Sequence, residues 1–270
     1  MRGETMRTKR GEVVCTLYGL LGATLLLAVT TTFGGALAQE AKPPEKHEWD
    51  YGKERGPQHW GDLKTEFAPC KVGHRQSPIE IQKTEKADLP AIQFDYKPSP
   101  LRIVDNGHTI MVSYEPGSTI RVGEAQYKLT QFHFHRPSEN RIHGKTYDME
   151  LHLVHADDAG HLAVVSVLLE HGMENPLVRE LWKDIPSEKE KEILLEDVQI
   201  NVADLLPADR GYYTYEGSLT TPPCSESVTW LVLKRPVPIS AEEVARFSKL
   251  YRHDARPTQP LYDRVVRETK

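Results

Sequence analysis

Cysteine is scarce in this 270-residue chain: there are three, and none sits in a Cys-x-x-Cys pair. That argues against dithiol redox chemistry. Basic clusters are absent as well, and the formal net charge is -5, so nothing in the composition recruits nucleic acid. No internal repeat or low-complexity block divides the chain, and its length suffices for one large buried core. Charge itself is missing from residues 13–38.

That uncharged stretch follows Arg2, Arg7, Lys9 and Arg10, has an apolar centre running from Leu17 to Val29, and closes on Ala36-Leu37-Ala38. A positive start, an apolar centre and small residues at the end make a secretory signal peptide, cleaved before Gln39. The stretch is also long enough to span a bilayer, and an uncleaved anchor is the alternative. Thr24, Thr30 to Thr32, Gly34 and Gly35 dilute it and favour cleavage. The expected division is a signal peptide over 1–38, a polar flexible lead-in over 39–46 and one folded domain over 47–270. The mature protein is then periplasmic or secreted, free of the membrane. In an oxidising compartment Cys70 and Cys224 can pair as a structural disulfide, with two unrelated buried thiols as the alternative.

From Trp49 onward, short β-rich runs alternate with Pro, Gly and Asn. Residues 91–96, 101–105, 109–114, 119–122, 127–135, 147–155, 161–171 and 228–233 read as strands. Two helices interrupt them. Asn175-Pro176 is a cap with proline at the first helical position, followed by an apolar face of Leu177, Val178, Leu181 and Trp182. Ser240-Ala-Glu-Glu243 is a capping box followed by Val244, Phe247, Leu250 and Tyr251. The fold class is therefore mainly β: a single domain on a large, mostly antiparallel sheet with a few peripheral helices.

Within the strands, Gln131-Phe132-His133-Phe134-His135 and Glu150-Leu151-His152 carry the chemistry. Period-two alternation puts Gln131, His133 and His135 on one face, and Glu150, His152 and Val154 on one face of the second strand. Side by side, the strands would bring three imidazoles together, each strand with a hydrogen-bonding residue two positions before its first histidine. Three neutral imidazoles and an open fourth position suit a catalytic zinc ion, and polar partners that fix each ring's tautomer complete such a site. The plain alternative is a half-buried strand with its polar residues outward.

The motifs together resemble the alpha-class carbonic anhydrases, in an exported bacterial form, from Trp49 to Val266. The matching segments are WDYG, GPQHW, QSPIEI, NGHTI, QFHFHRPSE, MELHLVH, GSLTTPPCSESVTW and RPTQPL, in that order. The resemblance implies a twisted sheet with one Zn2+ at the bottom of a conical cleft. It implies reversible hydration of carbon dioxide to bicarbonate and a proton, through attack of zinc-bound hydroxide and proton shuttling to buffer. It carries over His133, His135 and His152 as zinc ligands, with Gln131 and Glu150 as partners of His133 and His152. Thr220 would accept a hydrogen bond from the hydroxide and donate one to Glu139. Val154, Val164, Leu219 and Trp230 would wall the carbon dioxide pocket, and Thr221 would lie beside bicarbonate. His108 would shuttle the proton, and Tyr51 and Asn106 would order water in the cleft. The Cys70–Cys224 pair also matches, and the resemblance extends to a homodimer.

Two positions depart from the family pattern. Met111 stands where a polar amide is frequent, and Asp254 where asparagine is usual. Two rival functions are a silent relative serving as a binding module and a metal-holding protein without chemistry. All three histidines, Thr220 and Glu139 being present speaks against both. The other histidines, at 47, 59, 74, 143, 155, 161, 171 and 253, read as structural or exposed.

Overall fold

A computed structural model describes residues 48–270, so the expected signal peptide and lead-in lie outside the described residues. The eight runs read as strands all fold as strands. Those that frame the site are β1 (Ser99–Asp105), β2 (Ile110–Ser113), β3 (Ala125–His135), β4 (Met149–Ala156) and β5 (Leu162–His171). They continue with β6 (Tyr212–Ser218) and β7 (Glu226–Leu233). In one 13-stranded sheet the order is Ile193–Ile200, β1, β2, β3, β4, β5, β7, β6, then Arg267–Thr269 and Glu85–Ala87.

Most pairings are antiparallel. The principal exception is β5 against β7, which run parallel, as do β5 with Val237–Ile239 and Arg267–Thr269 with Glu85–Ala87. The strands Ile193–Ile200 and Tyr212–Ser218 were not expected from the sequence. The first is an acidic edge strand with a register shift, and the second opens Tyr-Tyr-Thr-Tyr without apolar alternation. Partner strands, not local pattern, impose both conformations.

Both expected helices form. Asn175 caps α1 (Pro176–Lys183), its side chain accepting from the amides of Leu177 at 3.1 Å and Val178 at 3.2 Å. Ser240 and Glu243 close the capping box of α2 (Ala241–Ser248). Leu250 lies beyond the last turn of α2 and is 43% exposed, so it does not join the buried stripe expected of it. The outward aromatics of β3, Phe132 and Phe134, pack with Leu151, Leu153, Trp182 and Phe247 into the larger core cluster. Burying such side chains, at ~1.5–3 kcal/mol each, fixes which face of β3 and β4 points away from the histidine triad.

His155 shows the consequence of that phase. It faces the core side of β4, fully buried, and its Nε2 lies 2.9 Å from the Tyr96 hydroxyl while Nδ1 donates to the Ala163 carbonyl at 3.2 Å. Burial pushes its pKa from 6.5 down to about 4. Between those values the unfolded chain takes up a proton that the folded ring refuses. The stabilisation is therefore complete above pH 6.5 and is lost as pH falls toward 4, on the order of 3 kcal/mol. Denaturant unfolding across this range is expected to show the loss, with a shallower slope in His155→Gln. An unchanged slope in the variant would assign the acid sensitivity elsewhere.

Candidate metal centre

The antiparallel register of β3 and β4 sets His133 directly opposite His152, and His135 opposite Glu150. Residues directly opposite project to one face, and a one-residue slip would send the two rings to different faces. The ligand-capable nitrogens of His133, His135 and His152 accordingly lie within 4.8 Å of one another.

Each ring is held from outside through one nitrogen. His133 Nδ1 donates to Gln131 Oε1 at 2.8 Å, and His135 Nδ1 to the Asp254 carbonyl at 2.8 Å. His152 Nε2 donates to Glu150 Oε1 at 3.0 Å. These acceptors fix the tautomers, leaving lone pairs on Nε2 of His133, Nε2 of His135 and Nδ1 of His152 turned inward. Burial, reinforced by the neighbouring imidazoles, holds His133 well below its ordinary pKa, and burial lowers His135 as well. Neutral imidazole is the form that binds a metal.

The surroundings fit a cation. His135 Nε2 and Glu139 Oε2 are both buried without a hydrogen-bond partner. That carboxylate oxygen lies 3.7 Å from His135 Nε2 and 3.9 Å from His152 Nδ1. Orphaned acceptors converging in a dry site are costly unless positive charge joins them. A divalent ion on the three histidines would supply it. Glu139 Oε1 accepts from the Arg256 amide at 2.8 Å. Burial raises the Glu139 pKa to about 7, against the lowering influence of His152, the Arg256 amide and the Thr220 hydroxyl. Thr220 thus acts on this carboxylate, although no hydrogen bond closes on Oε2 itself.

Glu150 does more than orient His152. Its Oε2 accepts from the amides of Glu139 and Asn140, both at 2.7 Å, and its Oε1 from Asn140 Nδ2 at 2.7 Å and Ser166 Oγ at 2.5 Å. Burial alone would raise this carboxyl, but the electrostatic influence of His152 and the hydrogen bonds of His152, Ser166 and Asn140 outweigh it and hold the pKa at about 2. Sequence reasoning missed Asn140, Ser166 and Arg256. No spacing rule links them to the histidines, and only the folded chain brings them there.

The hydrophobic wall follows from strand neighbours. Val164 pairs with Val154 across β4 and β5 and with Trp230 across β5 and β7, and Leu219 packs on the same cluster. The Trp230 ring stands edge-on to His152 at 4.9 Å. Thr220 and Thr221 sit in the turn between β6 and β7, where the Leu219 amide donates to Ser225 and the Cys224 amide to Thr221. The Cys70–Cys224 disulfide anchors this turn. On the far side, Asn106 Oδ1 accepts from the amides of His108 and Thr109 at 3.0 and 2.9 Å, fixing the turn that carries His108. The His108 ring stacks on Trp49, centroids 3.7 Å apart. Tyr51 is raised well above its ordinary pKa, first by burial and then by the charges of Glu139 and Asp254. Of the departures, Met111 pairs opposite His133, and Asp254 supports His135 through its main chain, which any residue supplies.

Three histidines with inward lone pairs on a large, mostly antiparallel sheet form a set that could hold a metal ion, with the donor types of a zinc site. Residues 55–270 match the model of the eukaryotic-type carbonic anhydrases. A carbonic anhydrase of Nostoc sp. is 40% identical over 257 residues, covering 93% of this chain and 96% of that protein. One from Klebsiella pneumoniae is 44% identical over 223 residues, covering 82% and 90%. A solved hyperthermostable carbonic anhydrase from an active hydrothermal vent chimney superposes with a TM-score of 0.80 at 48% identity, covering 82% of this chain and all of that one. The chain belongs to the eukaryotic-type, or alpha-class, carbonic anhydrase family.

The ring-holding hydrogen bonds predict a measurable effect. Gln131→Ala and Glu150→Gln are each expected to weaken zinc affinity ~10–100-fold in competition with a chromogenic chelator. Gln131→Ala should do so with little change in the melting temperature of the metal-free protein. Wild-type affinity in both variants would remove the orienting role.

Proposed function

We propose that the chain catalyses the zinc-dependent reversible hydration of carbon dioxide to bicarbonate and a proton. The observation that carries this reading is the convergence of three imidazoles, each outer nitrogen engaged and each inner one open, in a chain of this family. His133, His135 and His152 would hold the zinc, which when bound would lower the pKa of water to about 7, as in the carbonic anhydrase example of three-histidine zinc.

The remaining chemistry belongs to side chains of this chain. Glu139 accepts the single Thr220 hydroxyl proton, so the Thr220 oxygen can only accept from the attacking hydroxide. A lone pair of that hydroxide is then aimed at the substrate carbon, which makes the pair an orienting device. Carbon dioxide is apolar with weak acceptors, and Val154, Val164, Leu219 and Trp230 give it a greasy wall beside His152. Thr221 lies where bicarbonate forms. His108 receives the proton released in each cycle and passes it to buffer, since an imidazole exchanges protons at neutral pH with little penalty either way. Tyr51 and Asn106 border the path, and the Asn106 side chain also fixes the turn under His108.

Export is part of the same reading. The disulfide suits an oxidising compartment, and among the described residues no helix is long and apolar enough to cross a membrane. Residues 1–38 act as a signal peptide, 39–46 as a lead-in, and the domain works in the periplasm or outside the cell.

Stopped-flow hydration of carbon dioxide by zinc-loaded protein is expected to be fast and to vanish in His133→Ala. Absence of zinc-dependent hydration in the wild type would remove the enzyme reading. His108→Ala should turn over at least ~10-fold more slowly in weak buffer, with partial rescue by added imidazole. Turnover indifferent to both buffer and imidazole would leave His108 without a part in proton transfer.

A further inference from the structure

A cavity of about 550 Å³ opens beside His108, lined by Asp50, Tyr51, His108, Arg136, Arg252 and His253 among others. None of the three clustered histidines lines it, and it meets the proposed catalytic machinery at Tyr51 and His108. Its charge is lopsided. Two guanidinium groups, Arg136 and Arg252, face a single carboxylate, Asp50, and that carboxylate already accepts from the Gly52 amide at 2.7 Å. Arg136 Nη1 donates to the Arg252 carbonyl at 2.5 Å, while its buried Nε has no partner. The side chains of Arg252 and His253 are exposed and make no hydrogen bond, ion pair or ring contact among the described residues. Free donors on cationic groups gathered around a concavity favour an oxyanion, which arginine recognises through paired hydrogen bonds.

We propose that this cavity docks an oxyanion base, with hydrogen phosphate as the simplest case, as the proton acceptor for His108. The inference rests on the carbon dioxide hydration reading and names what receives the proton. The step is a simple transfer. The N–H bond of the His108 imidazolium breaks, an O–H bond forms on the phosphate dianion, and neutral imidazole and dihydrogen phosphate remain. No electron moves. Arg136 and Arg252 raise the local concentration of the dianion and, after transfer, hold the monoanion less strongly, which favours its release. An uncharged base such as imidazole gains nothing from the two arginines.

The test compares phosphate with imidazole as the varied buffer at constant ionic strength, using zinc-loaded full-length protein and stopped-flow hydration. Wild-type turnover is expected to saturate with phosphate. In Arg252→Ala the half-saturating phosphate concentration should rise about fivefold, and further in Arg252→Glu, with less than a twofold change for imidazole. An independent readout follows the ring protons of His108 and His253 by NMR during a phosphate titration. Both should shift saturably in the wild type, and neither should in Arg252→Glu. The proposal is overturned if the variants alter both buffers equally, if phosphate only inhibits in competition with bicarbonate, or if neither ring responds to phosphate. Should zinc-loaded protein hydrate no carbon dioxide in any buffer, the reading of the function fails, while the NMR titration still decides whether the oxyanion site exists.

Discussion

The Glu150 carboxylate is fully buried and gathers five hydrogen bonds, and the geometry of the metal centre hangs on it. Moving an isolated carboxylate into a protein interior costs several kcal/mol, so it survives as an anion only where charged or well-aligned donors surround it. Here one oxygen grips the amides of Glu139 and Asn140, and the other grips Asn140, Ser166 and the His152 ring. A ligand ring, the chain bearing Glu139 and the neighbouring strand β5 are thus tied to one point. Orientation of His152 and placement of Glu139 are consequences of the same buried charge.

A second group of contacts works from the opposite side. The Arg256 amide holds Glu139 Oε1, while its guanidinium donates to Gln76, the Ser77 carbonyl and the Cys70 carbonyl. Gln76 in turn donates to the Cys224 carbonyl at 3.0 Å. The disulfide, the turn carrying Thr220 and the carboxylate that Thr220 acts on are therefore joined through two buried side chains. The Glu139 carboxylate is held by the main-chain amide of Arg256, and the Glu139 amide by the buried Glu150 carboxylate.

Much of this is legible in the sequence, and the reasons are local. The Phe-His alternation of 131–135 fixes which residues of β3 share a face, and the Asn175-Pro176 and Ser240–Glu243 signatures fix where two helices begin. The motifs resembling a known family supplied Thr220, Glu139, His108 and the pocket wall, none of which periodicity could place apart from Val154. The failures share a cause as well. Tyr212–Ser218 and Ile193–Ile200 are strands because of what lies beside them, and Leu250 falls outside α2 because the stripe outlasts the helix. The Asn106 side-chain carbonyl also fixes the His108 turn, a contact that the sequence alone did not show.

By itself the sequence determined the side-chain phase of β3 and β4, the helix starts, the single disulfide-capable pair beyond the amino-terminal segment and the types of ligand available. Those are properties of a few consecutive residues, set by backbone periodicity and capping chemistry. Tertiary structure alone decided that His133 stands opposite His152, that Glu150 clamps the amide of Glu139, and that Arg136, Arg252 and His253 gather around His108. Strand register and the meeting of distant segments depend on long-range packing, where each contact is weak and only the whole core selects the arrangement.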